Sequence, residues 1–467
     1  MPPVLYIENR TYDELSVGDS AEIVRTLGPR DIELFAVMSG DVNPAHVDAD
    51  YARDDMFHKV IAHGMWGGAL ISAVLGTELP GPGAIYLNQS LSFRKPIGLG
   101  ETVTVRVTVR EKDDAKKRVI LDCEGILADG SLAIRGEAEV IAPTEKVRRP
   151  RTVLPEVHLH ERGARYARLI AATAALAPIP TAVTHPCDAN SLQGAVDARD
   201  KGLIEPVLVG PEAKIRAAAE AARVDISGLE IVDAPHSHAA AEASVALVRS
   251  GRAQALMKGA LHTDELMAAV VSRSTGLRTE RRMSHVFALD VPTYPKPLLI
   301  TDAAINIAPD LDTKRDIVAN AIDLAHALGI ELPKVAILAA VETVSARMSS
   351  TLDAAALCKM ADRGQITGGL LDGPLAFDNA ISKAAAAAKG IASPVAGDAD
   401  ILVAPDLEAG NMIAKQLMYL AGADSAGLVL GARVPIMLTS RADGALSRLA
   451  SAALAQLFVH HHAGGKA

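Results

Sequence analysis

The sequence predicts an α+β N-terminal domain with an antiparallel sheet, joined to a two-lobed α/β C-terminal region with parallel sheets. Length, composition and a change of periodicity near residue 150 lead to this prediction. The 467 residues suffice for two or three domains. Hydrophobic residues make up 49% of the chain and aromatic residues only 3%, a bias toward Ala, Val, Leu and Ile that suits helices packed on buried sheets.

The N-terminal region combines three alternating segments with one apolar segment. Residues 101–109, 119–127 and 132–141 alternate polar and apolar side chains, which predicts antiparallel strands with one face in solvent. The segment from His63 to Gly76, HGMWGGALISAVLG, is apolar on nearly all sides, which predicts a helix buried inside the fold. A helix wrapped by an antiparallel sheet is a hot-dog arrangement, and we assign it to residues 1–145.

A linker is predicted at residues 146–156, because prolines and basic residues end both periodicities there. Residues 157–467 alternate short apolar strands with Ala-rich helices such as Thr313–Leu328, which predicts a parallel α/β region of about two lobes. The predicted strands include residues 207–209, 255–257, 298–300, 335–339 and 401–403.

Charge and cysteine content narrow the class of protein. The net charge is −9 and the basic residues are scattered, so we expect no binding to nucleic acid or to an anionic membrane. The cysteines show no metal-binding or redox spacing, and neither a secretory signal nor a membrane span is recognisable. A cytoplasmic protein is therefore expected. His460–His462 are expected to form a solvated tail rather than a metal site.

The segment MSGDVNPAHVDADYA, followed by HGM, contains the first candidate site. Adding water to a thioester-activated double bond requires a group that deprotonates water, a group that protonates the α-carbon, and donors that hold the enolate-like oxygen. Asp41 and His46 can share one water molecule, and the turn at Asn43 can bring them to the same side. The N–H of Gly64, at the start of the apolar helix, can hold the oxygen. Taken singly, each residue also has a purely structural interpretation: Asp41 can cap a turn, Asn43 can end a helix, and His46 can donate a hydrogen bond to a neighbour.

Together, SGDxNPxH and HGM resemble the MaoC-like, or hydratase 2, family of (R)-specific enoyl-CoA hydratases over residues 10–142. The resemblance implies a dimeric hot-dog fold with Asp41 and His46 as catalytic residues, Gly64 as an oxyanion donor and Asn43 in support. Because this family includes inactive and thioester-binding members, a non-catalytic binding or dimerising domain is the alternative.

The C-terminal region has neither a P-loop nor a well-placed dinucleotide motif, which disfavours ATP hydrolysis and a dinucleotide cofactor. Small or polar residues follow its apolar strands, where parallel sheets bind ligands. These segments lie at residues 257–267, 283–290, 298–317, 368–382 and 400–443. They resemble the phosphate acetyl/butyryltransferase family over most of residues 155–459. The resemblance implies acyl-CoA and inorganic phosphate as substrates, with no metal and no organic cofactor.

By this resemblance, Ser440 and Arg441 correspond to the active-site pair of the family, and the guanidinium can hold phosphate or the reacting carbonyl through paired N–H donors. Acetyltransferases of the family carry an acidic residue several positions later, where this chain has Ser447. Asp443 could substitute for it. This difference leaves the choice between acetyl and butyryl substrates open.

Five further residues are predicted substrate contacts, namely Lys258, His262, Thr263, Asp302 and Asn306. The first three belong to the KGxxHT segment, and Lys258 and Thr263 are candidates for phosphate or CoA binding. Asp302, Asn306 and Asp378 could equally cap the helices that follow them.

Both regions thus point to acyl-CoA thioesters. We predict a bifunctional enoyl-CoA hydratase and phosphate acyltransferase that forms a homo-oligomer, at least a dimer. One alternative is an acyltransferase with a non-catalytic hot-dog domain. A second alternative is a hydratase with a regulatory acyltransferase-like domain.

Overall fold

The computed structural model describes residues 5–152, 157, 163–438 and 444–464. The chain divides into two compact units, residues 1–159 and 160–467. No helix within the described ranges combines the length and the apolar character needed to span a bilayer.

The first unit contains strands β1 (Tyr6–Glu8), β2 (Ser20–Thr26), β3 (Ile85–Phe93), β4 (Thr102–Asp113), β5 (Arg118–Leu127), β6 (Leu132–Ile141) and β7 (Arg148–Pro150). Its helices are α1 (Pro29–Ser39), α2 (Pro44–Val47), α3 (Ala49–Asp54) and α4 (Gly64–Thr77). Five strands form an antiparallel sheet in the order β2-β4-β5-β6-β3. β1 and β7 pair with each other, so part of the predicted linker is a strand.

The long helix α4 packs on this sheet. Trp66, Ile71 and Val74 are buried together with Val103 and Val105 of β4 in one apolar core. This arrangement confirms the predicted hot-dog fold. The helix is buried on one face only, whereas its sequence predicts burial on nearly all sides, because the sheet covers one side and the other face carries small residues such as Ala and Ser.

Close approach of α4 to the sheet depends on Gly67. A Cβ atom at this position would overlap Cδ1 of Ile134 on β6. The missing side chain therefore lets the helix lie directly against the floor of the sheet.

The second unit contains strands β8 (Ile179–Thr184), β9 (Ile204–Gly210), β10 (Glu230–Asp233), β11 (Ala255–Lys258), β12 (Ser284–Asp290), β13 (Leu298–Thr301), β14 (Lys334–Leu338), β15 (Leu370–Leu375), β16 (Ile401–Val403), β17 (Asp424–Leu430) and β18 (Ile436–Met437). Its helices are α5 (Ala164–Ala171), α6 (Ala189–Asp200), α7 (Glu212–Ala222), α8 (Ser237–Arg249), α9 (Thr263–Val270), α10 (Leu311–Ala327), α11 (Ser349–Asp362), α12 (Phe377–Ile381), α13 (Lys383–Ala388), α14 (Leu407–Tyr419) and α15 (Ala445–Gly464).

The described strands of this unit form one sheet of eleven, in the order β10-β9-β8-β11-β18-β17-β12-β13-β16-β14-β15. The strands from β10 to β18 are parallel to one another, and so are those from β13 to β15. Between them, β17 and β12 pair antiparallel with each other and with both outer neighbours. The three successive reversals make the two parallel halves run in opposite directions, so their carboxyl ends lie at opposite edges of the sheet.

Candidate functional sites

The turn that carries Asp41 is fixed by local hydrogen bonds. Helix α1 ends at Ser39, and Gly40 follows with a φ of 75°, a left-handed conformation that glycine adopts at low cost. The N–H of Asp41 donates to Oγ of Ser39 at 3.2 Å, and Oδ1 of Asp41 accepts from the N–H of Asn43 at 3.2 Å. The side chain of Asn43 caps α2 by accepting from the N–H of Ala45. Asn43 therefore contacts the Asp41 carboxylate through its backbone.

His46 lies on α2 with one ring nitrogen held in place. Its Nδ1 lies 3.0 Å from the backbone oxygen of Ile61. Because a carbonyl oxygen only accepts, Nδ1 carries the proton of the neutral ring and Nε2 keeps its lone pair. The ring lines a cavity, so this lone pair can take a proton from a water molecule bound there.

His63 is a site residue that the sequence analysis did not single out. Its side chain is buried, and its ring centroid lies 4.1 Å from that of His46. Its Nε2 lies 3.0 Å from the backbone oxygen of Asp41. The sequence signal was its position directly before Gly64 in HGM, but the sequence does not show which ring it packs against.

Gly64 begins α4, so its N–H has no acceptor within the helix and lies at the positive end of the helix dipole. It lines a cavity of about 340 Å³ together with His46 and His63. The rest of the lining is mainly apolar, with two basic residues; it includes Phe57, Ile61, Phe93, Ile97, Ile134, Arg94 and Lys95. An apolar cavity with a few polar groups suits an acyl chain whose reacting carbon lies near the histidines.

Asp41, His46 and His63 also form a group of possible metal ligands within the described part of the chain, with ligand atoms no more than 4.8 Å apart. One nitrogen of each ring already faces a backbone carbonyl, and the rings are stacked with 37° between their planes. Zinc would require the ligand atoms to converge at about 2 Å from the ion. The same atoms are close enough together to exchange protons through one bound water molecule.

The second candidate site lies at one edge of the large sheet. Thr184, Lys258 and Met437 are neighbours at or near the carboxyl ends of the parallel strands β8, β11 and β18. Gly259 follows Lys258 and donates its N–H to Thr184 at 2.9 Å. A Cβ atom at Gly259 would lie 2.5 Å from this carbonyl oxygen, so only glycine fits without a backbone shift.

A cavity of about 240 Å³ lies at this edge, between Lys258 and the start of α6. Asn190 and Ser191, in the first turn of α6, line it with Arg448 of α15. Lys258 and Arg448 are both more than nine-tenths buried. Two buried cations beside a helix N-terminus favour an anion. Asp188 also lines the cavity, and its carboxylate accepts the N–H of Ser191 as the helix cap.

Three lining residues were not predicted from the sequence, namely Arg448, Asn190 and Ser191, because they come from segments that are distant from Lys258 in sequence. His262 and Thr263 follow at the same edge and are exposed. Ser440, Arg441 and Asp443 lie outside the described residues, and their roles stay predictions. Ser447 lies on α15, where its backbone oxygen accepts from Oγ of Ser451.

Asp302 and Asn306 are not brought together with Lys258. Asp302 follows β13, four strand positions from β11 in the sheet and at the opposite edge, a lateral separation of about 19 Å. Its Oδ1 accepts from the N–H groups of His285, Ala304 and Ile305. Its Oδ2 accepts from the N–H and the side-chain amide of Asn306. These contacts hold a turn, and a substrate contact by either residue stays a prediction.

Asp378 lies on α12, is exposed, and pairs with Lys389 at 3.4 Å. The backbone N–H of Gly373 donates to the side chain of Asp372, a local turn contact.

Comparisons with known proteins match both units. Residues 15–124 match the family described as "MaoC like domain", and residues 238–456 match "Phosphate acetyl/butaryl transferase". The phosphate acetyltransferase of Rhizobium meliloti is 65% identical over 294 residues, which cover 63% of this chain and 93% of that protein. The phosphate butyryltransferase of Clostridium acetobutylicum is 43% identical over 270 residues, covering 58% of this chain and 90% of that protein.

A solved structure shares the fold of the C-terminal unit. It is a branched-chain phosphotransacylase from Enterococcus faecalis, with 31% sequence identity and a TM-score of 0.54. The match covers 61% of this chain and 100% of that structure.

Proposed function

The chain belongs to the phosphate acetyl/butyryltransferase family and carries a MaoC-like domain before the transferase domain, and from this we propose an enzyme with two activities. The C-terminal unit exchanges an acyl group between CoA and inorganic phosphate. The N-terminal unit adds water to a 2-enoyl-CoA to give a 3-hydroxyacyl-CoA. Neither reaction, as proposed, uses a metal ion or an organic cofactor.

Acyl transfer begins with phosphate bound between Lys258, Arg448 and the first turn of α6. A phosphate oxygen attacks the thioester carbonyl carbon, the C–S bond breaks, and the CoA thiolate leaves and takes up the proton that the phosphate has lost. Two buried cations hold the phosphate against the carbonyl and oppose its repulsion from the developing oxyanion. Ser440 and Arg441 would complete this site as contacts to the reacting carbonyl.

Hydration uses the cavity beside α4. Nε2 of His46 and the carboxylate of Asp41 bind one water molecule and remove its proton as the oxygen bonds to the β-carbon. The same proton, or one in exchange with it, is returned to the α-carbon. The N–H of Gly64 stabilises the negative charge on the thioester oxygen while the enolate exists.

One observation favours catalysis over passive thioester binding: the Nε2 lone pair of His46 is left available at the cavity wall because Nδ1 is held by Ile61. A binding module needs no fixed tautomer at this position. Asp41 lies close to His46, because His63 contacts the backbone oxygen of Asp41 and the ring of His46.

The test is mass spectrometry of crotonyl-CoA, acetyl-CoA and butyryl-CoA incubated with the full chain, with and without phosphate. We expect a water adduct of crotonyl-CoA, and phosphate-dependent release of CoA from the saturated thioesters. Asp41→Asn should lower hydration by about 10²- to 10⁴-fold and leave phosphate-dependent release unchanged. Hydration alone would make the C-terminal unit a regulatory domain, and release alone would make the N-terminal unit a binding domain.

We also propose a homo-oligomer. Strand β3 lies at the edge of the N-terminal sheet, and Ile85, Leu87 and Phe93 on it are exposed. An apolar strand at an open sheet edge is typical of a surface that pairs with a second copy. Size-exclusion chromatography with light scattering would show a monomer if this proposal is incorrect.

A cytoplasmic location is proposed as well. Cys123, Cys187 and Cys358 are all free thiols in the structure. Chains that function in an oxidising compartment tend to pair their cysteines, so three free thiols favour a reducing one.

A further inference from the structure

We propose that His63 is a positioning residue for hydration, which keeps Asp41 and His46 in a fixed relation to each other. The inference rests on the hydration proposed above. His63 contacts both residues at once and reaches each by a different part of its ring.

The first contact is a hydrogen bond to the backbone. Nε2 of His63 lies 3.0 Å from the backbone oxygen of Asp41, so Nε2 carries the ring proton and donates it. The Asp41 side chain is exposed, and its other hydrogen bonds among the described residues are to Ser39 and Asn43, which are close in sequence. His63 is 22 residues away in sequence, so its hydrogen bond ties the exposed turn to the start of α4.

The second contact is ring stacking. The His63 ring lies 4.1 Å from the ring of His46, measured between centroids, and 4.9 Å from the ring of Phe35. The contact with His63 limits rotation of the His46 ring, whose Nδ1 is already held by Ile61. His63 therefore restricts both proton-transfer groups.

The remaining nitrogen of His63 is enclosed by protein. Its Nδ1 is buried and has no hydrogen-bond partner among the described residues, and the residue is only 2% exposed. His63 is suited to holding its neighbours and poorly suited to exchanging protons.

Two substitutions separate the two contacts. His63→Phe keeps a flat ring for stacking but removes the N–H donor to Asp41. His63→Gln keeps a donor near the position of Nε2 but removes the ring. His58→Gln is the matched control, because His58 is an exposed histidine of the same unit that does not line the cavity.

The measurement is steady-state hydration of crotonyl-CoA by the full chain. We expect His63→Phe to lower kcat by about 10- to 100-fold with KM changed by less than about threefold, because a misplaced Asp41 weakens the reaction more than substrate binding. His63→Gln should recover part of that kcat. His58→Gln should match the wild type.

A double-mutant cycle with Asp41→Asn distinguishes positioning from a general loss of structure. If His63 acts through Asp41, the His63→Phe substitution should lower kcat by less than about threefold once Asp41 is already replaced. Equal losses in both backgrounds would overturn the inference, as would full activity of His63→Phe. A wild-type chain that forms no water adduct would instead refute the hydratase itself, and the inference with it.

Discussion

Replacing Lys258 by Met is the sharpest test of the acyltransferase site. The substitution removes the charge and keeps most of the apolar length of the side chain. Lys258 is 7% exposed and lines the small cavity with Arg448 and the start of α6. Loss of one of two buried cations should weaken phosphate binding without emptying the site of positive charge.

The size of the effect follows from Coulomb energy and desolvation. Opposite unit charges about 4 Å apart attract by about 4 kcal/mol at an effective dielectric constant of about 20. The phosphate loses part of its hydration shell as it enters the cavity, which offsets part of this attraction and leaves about 2–3 kcal/mol. Since about 1.4 kcal/mol corresponds to a factor of ten, kcat/KM for phosphate should fall by about 30- to 150-fold.

The assay is phosphate-dependent release of free thiol from acetyl-CoA and butyryl-CoA over a range of phosphate concentrations. Lys258→Arg should retain more activity than Lys258→Met, because it keeps the charge. Lys201→Met is the matched control, since Lys201 is an exposed lysine at the other end of α6. If Lys258→Met keeps kcat/KM within about threefold of the wild type while the protein stays folded, phosphate does not bind in this cavity.

Three further predictions concern stability. Burial lowers the pKa of His285 from 6.5 to about 4, although the Asp302 carboxylate opposes this shift. The unfolded chain therefore takes up a proton near pH 6.5, whereas the folded chain does so only near pH 4. The free energy of unfolding should fall by about 3 kcal/mol as the pH drops from 6.5 to 4. Denaturant titrations at several pH values should show that this free energy depends less on pH in His285→Leu than in the wild type. Gly67→Ala should lower the free energy of unfolding by about 1–3 kcal/mol, because the added methyl group overpacks against Ile134. Adding Ile134→Val, which removes Cδ1, should recover much of the lost Tm. A Tm that stays low would indicate backbone strain instead. Asp302→Asn should lower the free energy of unfolding by about 2–3 kcal/mol, because the amide N–H₂ group would face N–H groups that also donate. The KM for phosphate should not change. A raised KM would make Asp302 a substrate contact.

Local elements were well predicted. The antiparallel strands β4, β5 and β6 overlap the alternating segments, and β9, β11, β13, β14 and β16 overlap the short apolar runs. Alternation and apolar runs reflect which side of a strand is buried, and that depends on neighbouring residues in the chain. The same information gave the turn around Asp41, His46 and Asn43, because the residues that form it are adjacent.

Contacts between distant segments were not predicted. The sequence did not identify His63 stacked on His46, or Arg448 and the start of α6 beside Lys258. It predicted Asp302 and Asn306 as substrate contacts, as it did Lys258, but did not show that they lie at a different edge of the sheet from Lys258. The antiparallel strands β12 and β17 reverse the direction of the sheet between them, and nothing in a strand's own sequence gives its direction.

The sequence by itself therefore determined the types of element, the two-part organisation and the residues of the short motifs, because these depend on periodicity and spacing within a few turns of chain. Only the tertiary structure decided which strand ends share an edge, which face of α4 is buried, and which side chains from remote segments complete each site. Those outcomes depend on strand order and on close packing. At Gly67 and Gly259, for example, the packing has no room for a Cβ atom.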